Sequence, residues 1–272
     1  MASPIEISPK NLFRKICALD APRIYDLRID EDVADDSRFL PAALQVNFKD
    51  TEMLRHIGQG RPAIVYCQKG RKISHGAASL INAWGGDALV LEGGQVAWAN
   101  AGLPMYQIPP DLSHTKRWVT RERPKVDRIA FPWLIKRFIN PIAEILFVPA
   151  RDVDLVAKKF DAIAFDTETA RFSHHGTECS FDAILNEFEI KHPALNKMAQ
   201  VVRAADTNRL DEIPQASGVL ALLLGLSRRY KNDQTQLEAG LQLCDALYFW
   251  ARDAQSEQHD WPGPMASKGA VK

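Results

Sequence analysis

The sequence predicts two units of different class: an α/β N-terminal half, with a parallel sheet flanked by helices, and a mainly α-helical, α+β C-terminal half. Three observations carry this. Short continuous apolar runs alternate with helical periodicity over the first hundred residues. A stretch with Pro104, Pro109 and Pro110 follows. Beyond it, helical stripes dominate. Continuous apolar strands between helices are the mark of a parallel sheet buried on both faces.

Residues 23–27 and 42–46 read as strands, and 63–67 is a continuous buried run after Arg61-Pro62. Residues 88–91 form another. Between the last two, Ile73, Ala77, Leu80, Ile81 and Trp84 recur at helical spacing until Gly85-Gly86 stop them. The prolines at 103–111 suggest an interdomain linker. After it, Val126, Ile129, Ala130, Trp133, Leu134 and Phe138 form one stripe, which Pro132 must kink or open. Later helical stripes cover 193–205, 214–226 and 236–252, with strands at 145–148 and 162–165. The division is 1–108 for the first domain, 116–255 for the second and 256–272 for a flexible tail.

Composition excludes several classes. In 272 residues, 46% are hydrophobic and 25% charged, as in ordinary globular proteins. Thirty-four basic residues balance 34 acidic ones, a poor balance for nucleic-acid or membrane-surface binding. There is no apolar run near the length of a membrane span and no signal-peptide pattern, so the expected location is cytoplasmic. Cysteines stand at 17, 67, 179 and 244 without paired spacing, which argues against disulfides and a structural zinc site. The acidic residues between Asp30 and Asp36 read as a solvated loop.

The stretch 65–74 (VYCQKGRKIS) carries the clearest chemistry. Cys67 ends a buried strand, a basic Gly-containing loop follows, and a helix begins. This places the sulfur at the carboxyl edge of a parallel sheet, where such folds bind ligands. Loop N–H groups, the helix N-terminus, Lys69, Arg71 and Lys72 all favour thiolate over thiol. Cys67 is therefore the candidate nucleophile. Asp26, at a strand end, can pair with a loop cation or cap a turn. His75 is a surface helix residue close enough in sequence to serve as a proton carrier.

These residues resemble the rhodanese family over roughly residues 5–105. The match includes Tyr25-Asp26-Leu27-Arg28, Cys67-x-x-Gly70, Glu92-Gly93-Gly94 with Trp98, and Ala101-Gly102-Leu103-Pro104. The resemblance implies that Cys67 carries a persulfide taken from a donor such as thiosulfate. It also implies that Gln68, Lys69, Gly70, Arg71, Lys72 and Ile73 cradle it. Lys72 stands where the family often has Arg, and 39–43 (FLPAA) departs from the usual His-Ile-Pro-Gly-Ala. A phosphatase loop, His-Cys-x5-Arg, is the weaker match, because Tyr66 precedes the cysteine and Ile73 holds the arginine position.

In the second half, 121–130 (RERPKVDRIA), 172–176 (FSHHG), 179–182 (CSFD), 202–207 (VRAADT) and 245–248 (DALY) resemble the C-terminal domain of ChrB-type chromate-resistance proteins. Phe131 stands where that family often has Cys. His174, His175, Glu178 and Cys179 lie within six positions and offer metal-ligand types, with His174 and Cys179 preferred. Asp127, Asp166, Glu168 or Asp206 could complete the shell. No cofactor is required by the sequence, but a divalent metal is the one this domain would take. Between 116 and 137, eight Lys/Arg face Glu122 and Asp127. Arg121, Arg123 and Arg128 could form a pocket for chromate or another oxyanion; a solvated face or interdomain salt bridges is the plainer reading.

The expected function is a rhodanese-type sulfurtransferase fused to a chromate-resistance domain that binds metal or oxyanion. The rival is a non-enzymatic oxyanion or metal sensor in chromate or sulfur stress. The expected partners are a small anionic sulfur donor and a second copy in a homodimer.

Overall fold

The structure is a computed structural model describing residues 5–113 and 115–257. In the N-terminal half the strands are β1 (Glu6–Ile7), β2 (Arg23–Asp26), β3 (Arg38–Phe39), β4 (Ala43–Gln45), β5 (Ala63–Tyr66), β6 (Ala88–Leu91) and β7 (Tyr106–Gln107). The helices are α1 (Pro9–Lys15), α2 (Asp30–Asp35), α3 (Thr51–His56), α4 (Lys72–Ala83) and α5 (Gly94–Asn100). Five strands form one parallel sheet in the order β1-β6-β5-β2-β4. The expected α/β class holds.

The central strand β5 shows why this sheet is buried twice. Ala63 and Val65 join a cluster with Leu27, Ala77, Ala78, Ile81 and Val90. Ile64 and Tyr66, pointing the other way, join a second cluster that includes Leu12, Trp98, Phe138, Leu195 and Tyr248. One face is therefore covered by the amphipathic α4, the other by a core shared with the C-terminal half.

That half contains β8 (Arg117–Arg121), β9 (Glu144–Val148) and β10 (Ala162–Ala164), parallel in the order β10-β8-β9. Its helices are α6 (Val126–Leu134), α7 (Val153–Phe160), α8 (Ser180–Glu187), α9 (Pro193–Asp206), α10 (Gln215–Arg229) and α11 (Asp233–Asp253). Helices dominate, as expected. Starts follow local chemistry: His192 and Asn232 side chains accept from Ala194 N–H and Thr235 N–H at the heads of α9 and α11.

Three expectations change, and for Pro132 one of two alternatives is decided. The acidic run is not a loop but α2, with Asp30, Glu31 and Asp32 in its first turn, where the helix dipole favours them. The segment 103–111 is no bare linker, since Met105 and Tyr106 are buried and β7 pairs antiparallel with β3. The Gln107 N–H donates to the Phe188 carbonyl, and the Tyr106 hydroxyl to that of Ile139. The basic stretch hides β8, the central strand of the second sheet. Pro132 lies inside α6 rather than opening it, and the chain then enters a π-helical turn, Ile135–Ile139. The expected tail lies outside the described residues from 258 onward. Among the described residues, no helix is long and apolar enough to cross a membrane.

Candidate functional site

Cys67 follows β5 directly and is 6% exposed. Its sulfur accepts a hydrogen bond of 2.9 Å from the Ser74 hydroxyl, in the first turn of α4. The N–H groups of that turn have no intrahelical partner, so the helix presents its positive end beside the loop. Lys69, Arg71 and Lys72 are exposed around it, while Gly70 is buried. The strand–loop–helix read from sequence is thus assembled. Ser74 was outside the expected cradle. Only its place in the first helical turn, seven residues after the cysteine, signals it.

Two glycines make the loop possible. Gly70 has φ +58°, and a Cβ there would lie 2.6 Å from the Gly94 nitrogen and the Leu91 oxygen. Gly94, at φ +61°, would bring a Cβ to 2.1 Å from the Cys67 carbonyl oxygen. That approach lets the N–H groups of Gln95 and Val96 hold the carbonyls of Cys67 and Gln68, at 3.2 and 3.1 Å. The head of α5 thereby fixes the loop from behind.

Beneath it lies an ion pair with no exposure. Asp26 takes Nε and Nη2 of Arg28 at 2.9 and 2.7 Å, and Arg28 reaches the carbonyls of Asp36 and Arg38. Asp26 therefore pairs with a cation, but one from its own strand end. His75 Nε2 sits 3.1 Å from Glu6 Oε1, which turns it toward β1.

The second cluster forms around His174. Its Nε2 is 3.0 Å from Asp206 Oδ2, 3.5 Å from Asp166 Oδ1 and 3.9 Å from Asp127 Oδ2. One ligating atom from each of Asp127, His174 and Asp206 falls within 4.8 Å of the others. Asp127 starts α6, Asp206 ends α9, and His174 comes from the loop before α8. Asp127 accepts from the Ser180 and Phe181 N–H groups at 2.6 and 3.1 Å, so the head of α8 orients it. Burial, then Asp206 and Asp166, push the Asp127 carboxyl up. Asp206 is raised by burial and Asp166, against the opposing effect of His174 and Arg128.

Cys179 does not join this cluster, which corrects the expected His174/Cys179 pair. It is the N-cap of α8, fully buried, and its N–H donates to Asp182. Burial and the flanking Asp127 and Asp182 raise its thiol well above the ordinary value. The arginine pocket is corrected too. Arg121 and Arg128 both bind Asp166, at 3.2 and 3.0 Å, and Arg128 also bonds the carbonyls of Arg121 and Glu122. Arg123 turns to the carbonyls of Tyr230 and Ser227. Most of their donors serve the fold, although the buried Arg121 Nε has no partner among the described residues.

Comparison with known proteins divides at the same place. Residues 118–251 match the family model described as ChrB, C-terminal domain. Protein ChrB of Cupriavidus metallidurans is 34% identical over 140 residues, 51% of this chain and 42% of that protein. The chain thus matches less than half the length of that relative. A sulfurtransferase of Allochromatium vinosum is 28% identical over 101 residues, 37% of this chain and 92% of that protein. A rhodanese-like domain protein of Staphylococcus aureus is 26% identical with TM-score 0.31, over 34% of this chain and 89% of that one. Residues 118–251, just under half of the chain, thus match the ChrB C-terminal domain model, and they follow an N-terminal α/β unit similar in sequence to a sulfurtransferase.

Proposed function

We propose that the N-terminal half is a sulfurtransferase that carries sulfur as a persulfide on Cys67. The observation that carries this reading is the 2.9 Å hydrogen bond from Ser74 to a sulfur held between a strand end and a helix head. In the first step, the thiolate attacks the outer sulfur of an anionic donor such as thiosulfate. A Cys67 S–S bond forms, the donor's S–S bond breaks, and sulfite leaves with the electron pair. In the second, a nucleophile such as cyanide takes the outer sulfur and the thiolate returns. The negative charge stays on sulfur throughout, where loop amides, Ser74, Lys69, Arg71 and Lys72 can stabilise it. The test is thiocyanate formation from thiosulfate and cyanide: turnover by the wild type, with loss in a folded Cys67→Ala variant. Equal turnover in both would overturn the proposal.

The second domain supports a complementary reading as a divalent-cation site held by Asp127, His174 and Asp206. Imidazole with carboxylates suits Mn2+, Fe2+ or Zn2+. The carboxylates crowd together at a cost that a cation would offset, which favours this reading. Bound there, a metal would supply a Lewis-acid centre or a purely structural clamp. Metal analysis after equilibration with each ion, with His174→Ala beside it, tests the site. A chain that keeps the metal but never turns over sulfur would be a sensor module instead.

A further inference from the structure

We infer that the cleft between the two halves is a binding site for a compact dianion of sulfate or phosphate type, held by Arg23, Arg61, Lys136 and Arg137. The cleft encloses about 300 Å3. It takes Arg23 and Arg61 from the N-terminal half and Lys136 and Arg137 from the π-helical turn of the C-terminal half. That is room for a tetrahedral ion with several waters, at roughly 30 Å3 each.

Four cations line this cleft against one carboxylate. Asp245 takes Nε and Nη2 of Arg137, both at 2.8 Å. Among the described residues, Arg23, Arg61 and Lys136 have no carboxylate in ion-pair contact. Arg61 Nε and Lys136 Nζ are anchored only on the carbonyls of Ala21 and Ala143. Arg23 goes further: its Nη1 is buried with no hydrogen-bond partner. Arg23 lines the cleft with a guanidinium that no acceptor among the described residues satisfies at Nη1, and a small shift of the side chain would turn that N–H to an anion bound there.

The like charges act on one another. Burial, then Arg23 and Arg137, lower the affinity of Arg61 for its proton. Burial, then Arg137 and Arg23, do the same to Lys136, with Glu144 and Glu238 only partly opposing. A dianion would reverse the sign of this repulsion.

The surrounding backbone is shaped at a cost. Cys17 and Ala42, both lining the cleft, have φ +66° and +55°, which non-glycine residues rarely adopt. The Ala42 N–H donates to the Phe138 carbonyl, inside the π-helical turn, at 2.8 Å. Strain of this kind gathers where a fold holds a ligand.

The site is separate from Cys67. Arg23 opens β2 and Arg61 precedes β5, whereas Cys67 follows the far end of β5, about 13 Å along a four-residue strand. Isothermal titration of the full chain with sodium sulfate, and separately sodium phosphate, tests it against a sodium chloride control of matched ionic strength. The expected result is saturable one-site binding, weakened at least about tenfold by Arg23→Gln and by Arg61→Gln and unchanged by Arg151→Gln, a substitution on the exposed surface outside the cleft. Circular dichroism confirms folding, and the half-exposed Arg61 side makes its variant the safer one. Absence of saturable binding, insensitivity to both variants, or an equal loss in Arg151→Gln would overturn the inference. The last outcome would mean that binding follows the overall charge of the chain and not the cleft.

Discussion

The Ser74 hydroxyl donates to the Cys67 sulfur across 2.9 Å, linking the first turn of α4 to the end of β5. A hydrogen bond to a charged acceptor contributes about 1.5–3 kcal/mol. Ser74→Ala should therefore slow thiosulfate-dependent turnover about tenfold or more, with the fold kept. Alkylation of Cys67 by iodoacetamide at neutral pH should slow with it. Unchanged rates in both assays would remove Ser74 from the site.

Gly94 carries a sharper demand, because any Cβ would enter the space of the Cys67 carbonyl. Gly94→Ala must move the loop off the head of α5. Expected are a loss of more than about 1 kcal/mol in urea unfolding and the disappearance of sulfur transfer. Retention of full activity would show that the loop tolerates the shift.

Asp127, His174 and Asp206 should stand or fall together. Addition of Mn2+ or Zn2+ should raise the thermal midpoint of the wild type. His174→Ala and Asp206→Asn should each reduce that rise, with at least about tenfold weaker binding. A metal response that survives both substitutions would place the ion elsewhere.

Asp36 should shape acid stability. Hydrogen bonds from the Arg38 side chain hold its carboxyl down to about 2. Because the folded value lies below the unfolded one, the stabilisation is complete above the unfolded value. It is lost as pH falls through about 2. Urea unfolding followed from about pH 5 to about pH 2 should show a loss that Asp36→Asn makes smaller, by up to about 1 kcal/mol. Parallel profiles for the two proteins would contradict this.

Arg252 tests the union of the halves. From the end of α11 its Nη1 donates to the carbonyls of Phe13 and Ile16, closing the C-terminus of α1. Its guanidinium also lies 4.5 Å from the Phe249 ring centroid and 5.3 Å from that of Phe13. Arg252→Ala should cost about 2 kcal/mol in urea unfolding. A cost below about 0.5 kcal/mol would mean that α1 is held by its apolar face alone.

What could be read from sequence was local. The run into Cys67, the glycine after it and the helical spacing of Ile73, Ala77 and Ile81 lie within nineteen residues, and periodicity reports them directly. So do the long stripes that became α9, α10 and α11. β8 escaped because arginines at both ends mask its buried Trp118, Val119 and Thr120. Only the fold brings Asp127 to Asp206, 79 positions away, and sets His174 against both. It also turned Cys179 inward as a helix cap and spent Arg121 and Arg128 on Asp166. The reason is physical. A side chain's residue type limits which bonds it can make, but its partners are chosen by the packing of segments distant in the chain, as Arg23 and Lys136 meet in one cleft only because the two halves share a core.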